Sequence, residues 1–141
     1  EAYFKDLANR YKGKAVSIIA FNGDLSRKIY SGADIFLMPS KSEPCGLSQM
    51  IASRYLTVPV VRETGGLYDS IKPYGAGGNG FTFAAYNAGD MLYVLREAIA
   101  LYKDEPQWKK LMIKAGTTDF SWQRSAEEYK KLYSDTLALL K

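Results

Sequence analysis

The chain has 141 residues, enough for one domain and short for two. With 47% hydrophobic and 24% charged residues it is a folded globular sequence; disorder is excluded. With no histidine and one cysteine, Cys45, the chain by itself holds no imidazole metal site, structural zinc site, disulfide framework or Ser-His-Asp or Cys-His nucleophile system.

Phe4, Leu7, Ala8 and Tyr11 fall at helical spacing, and Gly13 closes that segment. Ala15 to Phe21 (AVSIIAF) is a short apolar run rich in β-branched residues, predicted as a strand buried on both faces. Asp24 is the expected cap of a helix carrying Leu25 and Ile29 and ending near Gly32. Asp34 to Pro39 (DIFLMP) is a second buried strand. Leu47 to Tyr55 is a short helix, Val58 to Val61 a third strand, and Gly80 to Phe83 a weaker fourth. The remainder is helical. Met91, Leu92, Val94, Leu95, Ala98, Ile99 and Tyr102 form one apolar stripe. Pro106 sits in the first turn of the next helix, with Trp108, Leu111 and Met112 inward. Ala126, Tyr129, Leu132, Tyr133, Leu137 and Leu140 line a last helix, where Tyr129 and Tyr133 are expected in the core. Short strands alternating with helices imply an α/β fold with a Rossmann-like parallel sheet.

In such sheets ligands bind at the carboxyl ends of the strands. After the DIFLMP strand comes Pro39-Ser-Lys-Ser-Glu-Pro-Cys-Gly-Leu-Ser48. Pro44 restricts Glu43 to extended backbone, Gly46 permits close approach, and the N–H groups of Leu47 and Ser48 open a helix, an arrangement suited to an anion. A plain N-terminal cap and loop is the competing reading. Glu63-Thr-Gly-Gly-Leu67 repeats the pattern, with Thr64 as a cap or the whole as a tight turn. Gly75-Ala-Gly77-Gly-Asn-Gly80 has the letters of a dinucleotide fingerprint, but it follows Pro73 and precedes a strand, so it is read as a flexible loop. Tyr3, Tyr30, Tyr74 and Tyr86 remain candidates for stacking on sugar rings. Lys109-Lys110 and Lys130-Lys131 read as solvated faces.

A resemblance now stands out. Ala33 to Ser40, Glu43-Pro-Cys-Gly-Leu-Ser48, Pro59-Val-Val-Arg62 and Thr64-Gly-Gly-Leu67 resemble bacterial glycogen and starch synthases, in order and spacing. Asp119-Phe-Ser-Trp122 with Ser125, Ala126 and Tyr129 is similar to that family's C-terminal signature. The resemblance implies a GT-B glycosyltransferase of two facing Rossmann-like domains. It implies transfer of glucose from ADP-glucose or UDP-glucose to the non-reducing end of an α-1,4-glucan, with retention and with no metal or other cofactor. It further implies that Glu43 is catalytic, contacting the sugar of the nucleotide. Backbone groups of Cys45, Gly46 and Leu47 would line the same pocket, Ser48 would face the diphosphate, and Thr64 and Gly65 would lie nearby. Two positions depart from the family: Ile51, where related transferases carry glutamate and synthases often tyrosine, and Leu56, where glycine is usual. A glycine there would be a left-handed helix stop, so strain is expected at Leu56.

By the same resemblance, residues 1–141 form a partial C-terminal, nucleotide-sugar-binding domain without its first two strands, its basic residues for the leaving diphosphate, or the N-terminal domain. Such a segment is expected to be inactive alone. A non-catalytic carbohydrate-binding or interaction module, and another GT-B enzyme similar to sucrose-phosphate synthase, are the alternatives. In strand order three-two-one-four-five-six the absent pair would separate 15–21 from 34–39. Those two segments are then expected to pair directly, or to meet a second copy as a homodimer. The net charge of +4 is spread along the chain, which suits a small anionic ligand and gives no nucleic-acid face. No apolar run reaches the ~20 residues of a membrane span. Without a signal-peptide layout, a cytoplasmic location is expected.

Overall fold

The computed structural model describes residues 1–75 and 77–139, so Ala76, Leu140 and Lys141, with the reading of Leu140 as a helix-lining residue, lie outside the described residues. The fold is α/β, a three-stranded parallel sheet flanked by helices. Strand β2 (Val58–Arg62) is central, with β1 (Ile35–Met38) on one side and β3 (Phe81–Phe83) on the other. Ile35 lies opposite Val58, and Val60 opposite Phe81.

Side chains alternate across a strand, and β2 divides its residues between two cores. Val58 and Val60 pack with Phe81, Ala98, Trp108 and Leu111. Val61 packs on the other face with Leu67 and Ile71. Each such buried aliphatic side chain contributes about 1.5–3 kcal/mol relative to exposure. The first core is closed by α5 (Ala88–Tyr102) and α6 (Glu105–Thr117), the second by α4 (Gly66–Ser70). Asn87 caps α5 by accepting from the Asp90 N–H at 2.8 Å. Asp104 caps α6, where Pro106 occupies the first turn as expected.

Four expectations are corrected. Residues 15–21 form no strand and do not pair with β1; Val16 is 80% and Phe21 fully exposed. An apolar run becomes a strand only when a neighbour supplies hydrogen bonds, and β1 pairs only with β2. The first helix, α1 (Ala2–Arg10), precedes this segment with no buried residue. The cap of α2 (Gly23–Gly32) is Asn22, which accepts from the Leu25 N–H at 2.9 Å; Asp24 lies in the first turn and pairs with Arg27. The stripe on α7 (Trp122–Leu139) is unburied, with Tyr129, Leu132, Tyr133 and Leu137 all exposed. Helical periodicity defines that stripe, but no other element among the described residues covers it.

Leu56 follows α3 (Ser48–Arg54) with φ +66°, the left-handed conformation expected at this helix end. It is the only described residue other than glycine with positive φ.

Candidate functional site

Because the strands are parallel, the loops after β1, β2 and β3 emerge at one end of the sheet. The first two are built into each other. The Gly66 N–H donates to the Glu43 carbonyl at 3.2 Å. Gly65, at φ +45°, and Gly66 have no room for a Cβ: one would overlap the Glu43 carbonyl, the other the backbone of Cys45. The two glycines therefore let two loops meet backbone to backbone.

Gln49, fully buried on α3, fastens this junction. Its Nε2 donates to the carbonyls of Gly46 at 2.8 Å and Cys45 at 3.3 Å, and to Ser70 Oγ at 3.0 Å. Ser70 Oγ in turn donates to the Gly66 carbonyl at 2.6 Å. Glu43, Cys45, Gly46, Gly65 and Gly66 are thus brought together. Glu43 is half-buried, and its carboxylate takes no hydrogen bond from any described residue. Gly46 has φ +73°, while Cys45 and Leu47 are exposed. Ser48 is half-buried and begins α3.

Two local expectations are revised. Thr64 does not cap α4; Gly65 holds that position and no side chain caps it. The Thr64 carbonyl instead accepts from the Leu67 N–H at 3.1 Å, closing the turn. Leu47 precedes α3 in a helical conformation with no side-chain cap, and α3 has only seven residues. A helix of two turns brings a small dipole, so orientation of individual loop amides matters more here than the helix field.

Arg62, at the end of β2, braces the surrounding loops. Its Nη1 donates to the Lys41 carbonyl at 2.7 Å and its Nε to the Ala84 carbonyl at 3.2 Å. The guanidinium also lies 5.4 Å from the Tyr86 ring centroid, so this tyrosine has a protein partner. Tyr30 stacks against Tyr55, and Tyr74 lies against Phe81. Glu63 accepts from the Thr82 hydroxyl at 2.6 Å, joining the ends of β2 and β3.

Behind the 43–48 loop lies a groove of about 490 Å³, lined by Cys45, Asp69, Lys72, Lys114, Asp119 and Arg124 among others. Both charge signs face it. Hydrogen bonding from the Ser121 side chain and backbone holds the Asp119 carboxyl below its ordinary range. Composition gave no signal for this groove, since its walls come from four separate segments. The glycine-rich stretch does not open a helix. Its described residues run between the two partners of an isolated Pro73–Gly80 bridge and lead into β3. Buried Asn79 accepts from the Lys72 N–H at 2.7 Å and donates to the Ser70 carbonyl at 3.0 Å. Lys109 and Lys131 pair with Glu105 and Asp135 on exposed helix faces, as expected.

Gln49, Gly66, Ser70 and Arg62 were not singled out by sequence as parts of the site. The available signal was that Gly66 and Arg62 lie within quoted motifs and that Gln49 and Ser70 follow shortly after them.

The chain is 49% identical over 140 residues to a glycogen synthase of Geobacillus thermodenitrificans, and spans 29% of that protein's length. It is 50% identical to a glycogen synthase of Kosmotoga olearia, again with 97% of this chain and 30% of the relative covered. The structure superposes with a TM-score of 0.83 on the catalytic domain of starch synthase IV from Arabidopsis thaliana, solved bound to ADP and acarbose. That match is 37% identical over 97% of this chain and 30% of the other. A sucrose-phosphate synthase from Thermosynechococcus elongatus shares the fold at 20% identity and TM-score 0.69. No helix among the described residues is long and apolar enough to cross a membrane. The family model for glycosyl transferases group 1 matches residues 1–117, most of the chain, and the chain belongs to that family.

Proposed function

We propose that this chain forms the sugar-donor side of a retaining glucosyltransferase that extends an α-1,4-glucan in glycogen or starch synthesis. The observation that carries this reading is the fused pair of loops at the carboxyl end of the sheet. There a half-buried carboxylate that takes no hydrogen bond from any described residue, Glu43, stands beside tightly packed glycine backbone. Identity near 49% to a glycogen synthase across almost the whole chain supports it.

In this reading Glu43 contacts the glucose of ADP-glucose or UDP-glucose. Backbone groups of Cys45, Gly46 and Leu47 line the sugar pocket, Ser48 faces the diphosphate, and Thr64 and Gly65 close its side. Stabilising charge on a leaving diphosphate is commonly the largest catalytic contribution. At the end of β2, Arg62 spends its Nε and Nη1 on loop carbonyls. Transfer therefore requires basic residues and an acceptor-side domain beyond this partial domain, which spans about 29% of a relative's length. The exposed thiol of Cys45, with no second cysteine to pair with, suits a reducing compartment such as the cytoplasm.

The same engagement of Arg62 favours the second reading, a carbohydrate-binding module that performs no transfer. One experiment separates them. The matched 140 residues of the Geobacillus stearothermophilus glycogen synthase are replaced by this chain, and glucose incorporation from ADP-glucose into glycogen is measured. Turnover by the chimera supports the enzyme reading; a folded, glycogen-binding chimera without turnover supports the module.

A further inference from the structure

We propose that Gln49 is a positioning residue of the sugar-donor site: its buried carboxamide sets the direction in which the amides of Gly46 and Leu47 point. The proposal rests on the sugar-donor reading above and assigns a role to a residue outside its contact set.

The geometry follows from the peptide unit. In a planar trans peptide the C=O of one residue and the N–H of the next point in opposite directions. Gln49 Nε2 holds the carbonyls of Cys45 and Gly46 on its own side. The N–H groups of Gly46 and Leu47 must then project away from it. Neither donates to a backbone acceptor among the described residues. Two free, co-directed N–H groups beside Glu43 are suited to sugar or phosphate oxygens, and one side chain sets both. The third bond, to Ser70 Oγ, fixes that side chain against α4, so the amides are aimed relative to the Thr64–Gly65 loop as well.

The orientation of the carboxamide is determined. A flip would set Oε1 against two carbonyl oxygens and forfeit every bond Nε2 makes. In the retained orientation Oε1 is buried without a hydrogen-bond partner. An apolar side chain would avoid that cost but leave the Cys45 and Gly46 carbonyls without this donor, so what glutamine adds here is its hold on those carbonyls. Gly46 fits the same picture: a Cβ on it would lie 2.7 Å from Gln49 Oε1, so loop and carboxamide touch directly.

The test uses the Geobacillus stearothermophilus chimera described above, assayed well below its melting temperature with ADP-glucose and glycogen. Gln49→Met is expected to lower kcat/KM for ADP-glucose roughly 10- to 100-fold, the scale of misplaced binding groups, with the glycogen KM unchanged. Gln49→Glu supplies an internal rescue. Its carboxylate has no proton to give the two carbonyls, but its protonated form has one. The ratio of this variant's kcat/KM to the parental value should therefore rise as pH is lowered from about 8 to about 6, burial having raised the carboxyl's titration. Where Gln49→Met does not fold, Ser70→Ala, which frees one side of the carboxamide, is expected to show the same ADP-glucose-specific loss at smaller size. Parental kinetics in folded Gln49→Met or a flat pH ratio in Gln49→Glu, with Glu43→Ala inactive, overturn this proposal alone. An inactive unmutated chimera, or full activity in Glu43→Ala, overturns the sugar-donor reading and this proposal together.

Discussion

The carbonyl of Glu43 accepts the N–H of Gly66 at 3.2 Å, which makes two loops separated by more than twenty residues into one wall. The acidic residue and the glycine pair are therefore mechanically coupled. A change in either loop is transmitted through backbone, without a flexible side chain to absorb it.

Replacement of Gly66 by alanine tests that coupling. Its Cβ would overlap the Cys45 backbone, which cannot step aside as a side-chain end would. A loss of about 1–3 kcal/mol is expected, the usual range for overpacking. Thermal unfolding of the chain and its G66A variant measures it; an unchanged melting temperature refutes the coupling.

Glu43→Ala should act oppositely, on activity and not on folding. The carboxylate is half-buried and takes no hydrogen bond among the described residues, so its removal leaves no partner unpaired. In the chimera, turnover is expected to fall by about 100-fold or more, the scale of a lost electrostatic contact at the reacting centre. Melting should stay within about 0.5 kcal/mol of the parent, as for changes away from structural contacts. Equal losses of stability and activity would return Glu43 to a structural role.

The 141-residue chain alone should not transfer glucose. Its Arg62 braces the Lys41 and Ala84 carbonyls through Nη1 and Nε, and the chain spans about 29% of a glycogen synthase relative's length. Incubation with ADP-glucose and labelled glycogen primer checks this, and clear incorporation contradicts it.

Self-association is expected at the β1 edge. Among the described residues no strand lies on the outer side of β1, and residues 15–21 present Val16, Ile18, Ile19 and Phe21 to solvent. An open strand edge beside an exposed apolar segment is a template for pairing. Light scattering should give a mass above the monomer that falls in a Phe21→Lys, Ile19→Lys variant. A monomer at all concentrations shows that the edge is tolerated.

The α6–α7 junction should weaken in acid. Hydrogen bonds from Ser121 hold the Asp119 carboxyl below its ordinary range. A depressed carboxyl stabilises the fold above its unfolded titration point and loses that contribution as pH falls through the folded one. The Asp119 side chain is solvent-exposed, so the effect is local. Amide exchange at Ser121, taken relative to its intrinsic rate, should rise only as pH drops below the ordinary aspartate value of about 3.9. Asp119→Asn should flatten that rise.

Short-range signals accounted for much of the fold. The segments IFLM, VPVVR and FTF became parallel strands as their β-branched and aromatic content suggests, although β1, expected as a buried strand, is only half-buried because it is the edge of the sheet. Pro106, Gly65 and Leu56 were legible because helix starts, tight turns and helix stops depend on single-residue backbone preferences. The Glu43–Ser48 and Thr64–Leu67 motifs were legible as separate loops at strand ends.

What the sequence could not determine was partnership. Residues 15–21 have the composition of a strand, and α7 has an amphipathic stripe, yet neither is covered. Burial depends on what lies opposite, and local pattern carries no information about that. The same holds for the site. Gln49 lies one residue beyond the first motif, but its hold on Ser70 spans twenty-one residues and exists only because α3 and α4 pack side by side. Local residue preferences chose the elements; tertiary packing alone brought two loops, one carboxamide and one hydroxyl into a single wall, because hydrogen bonds and close backbone contacts act at a few ångströms whatever the separation along the chain.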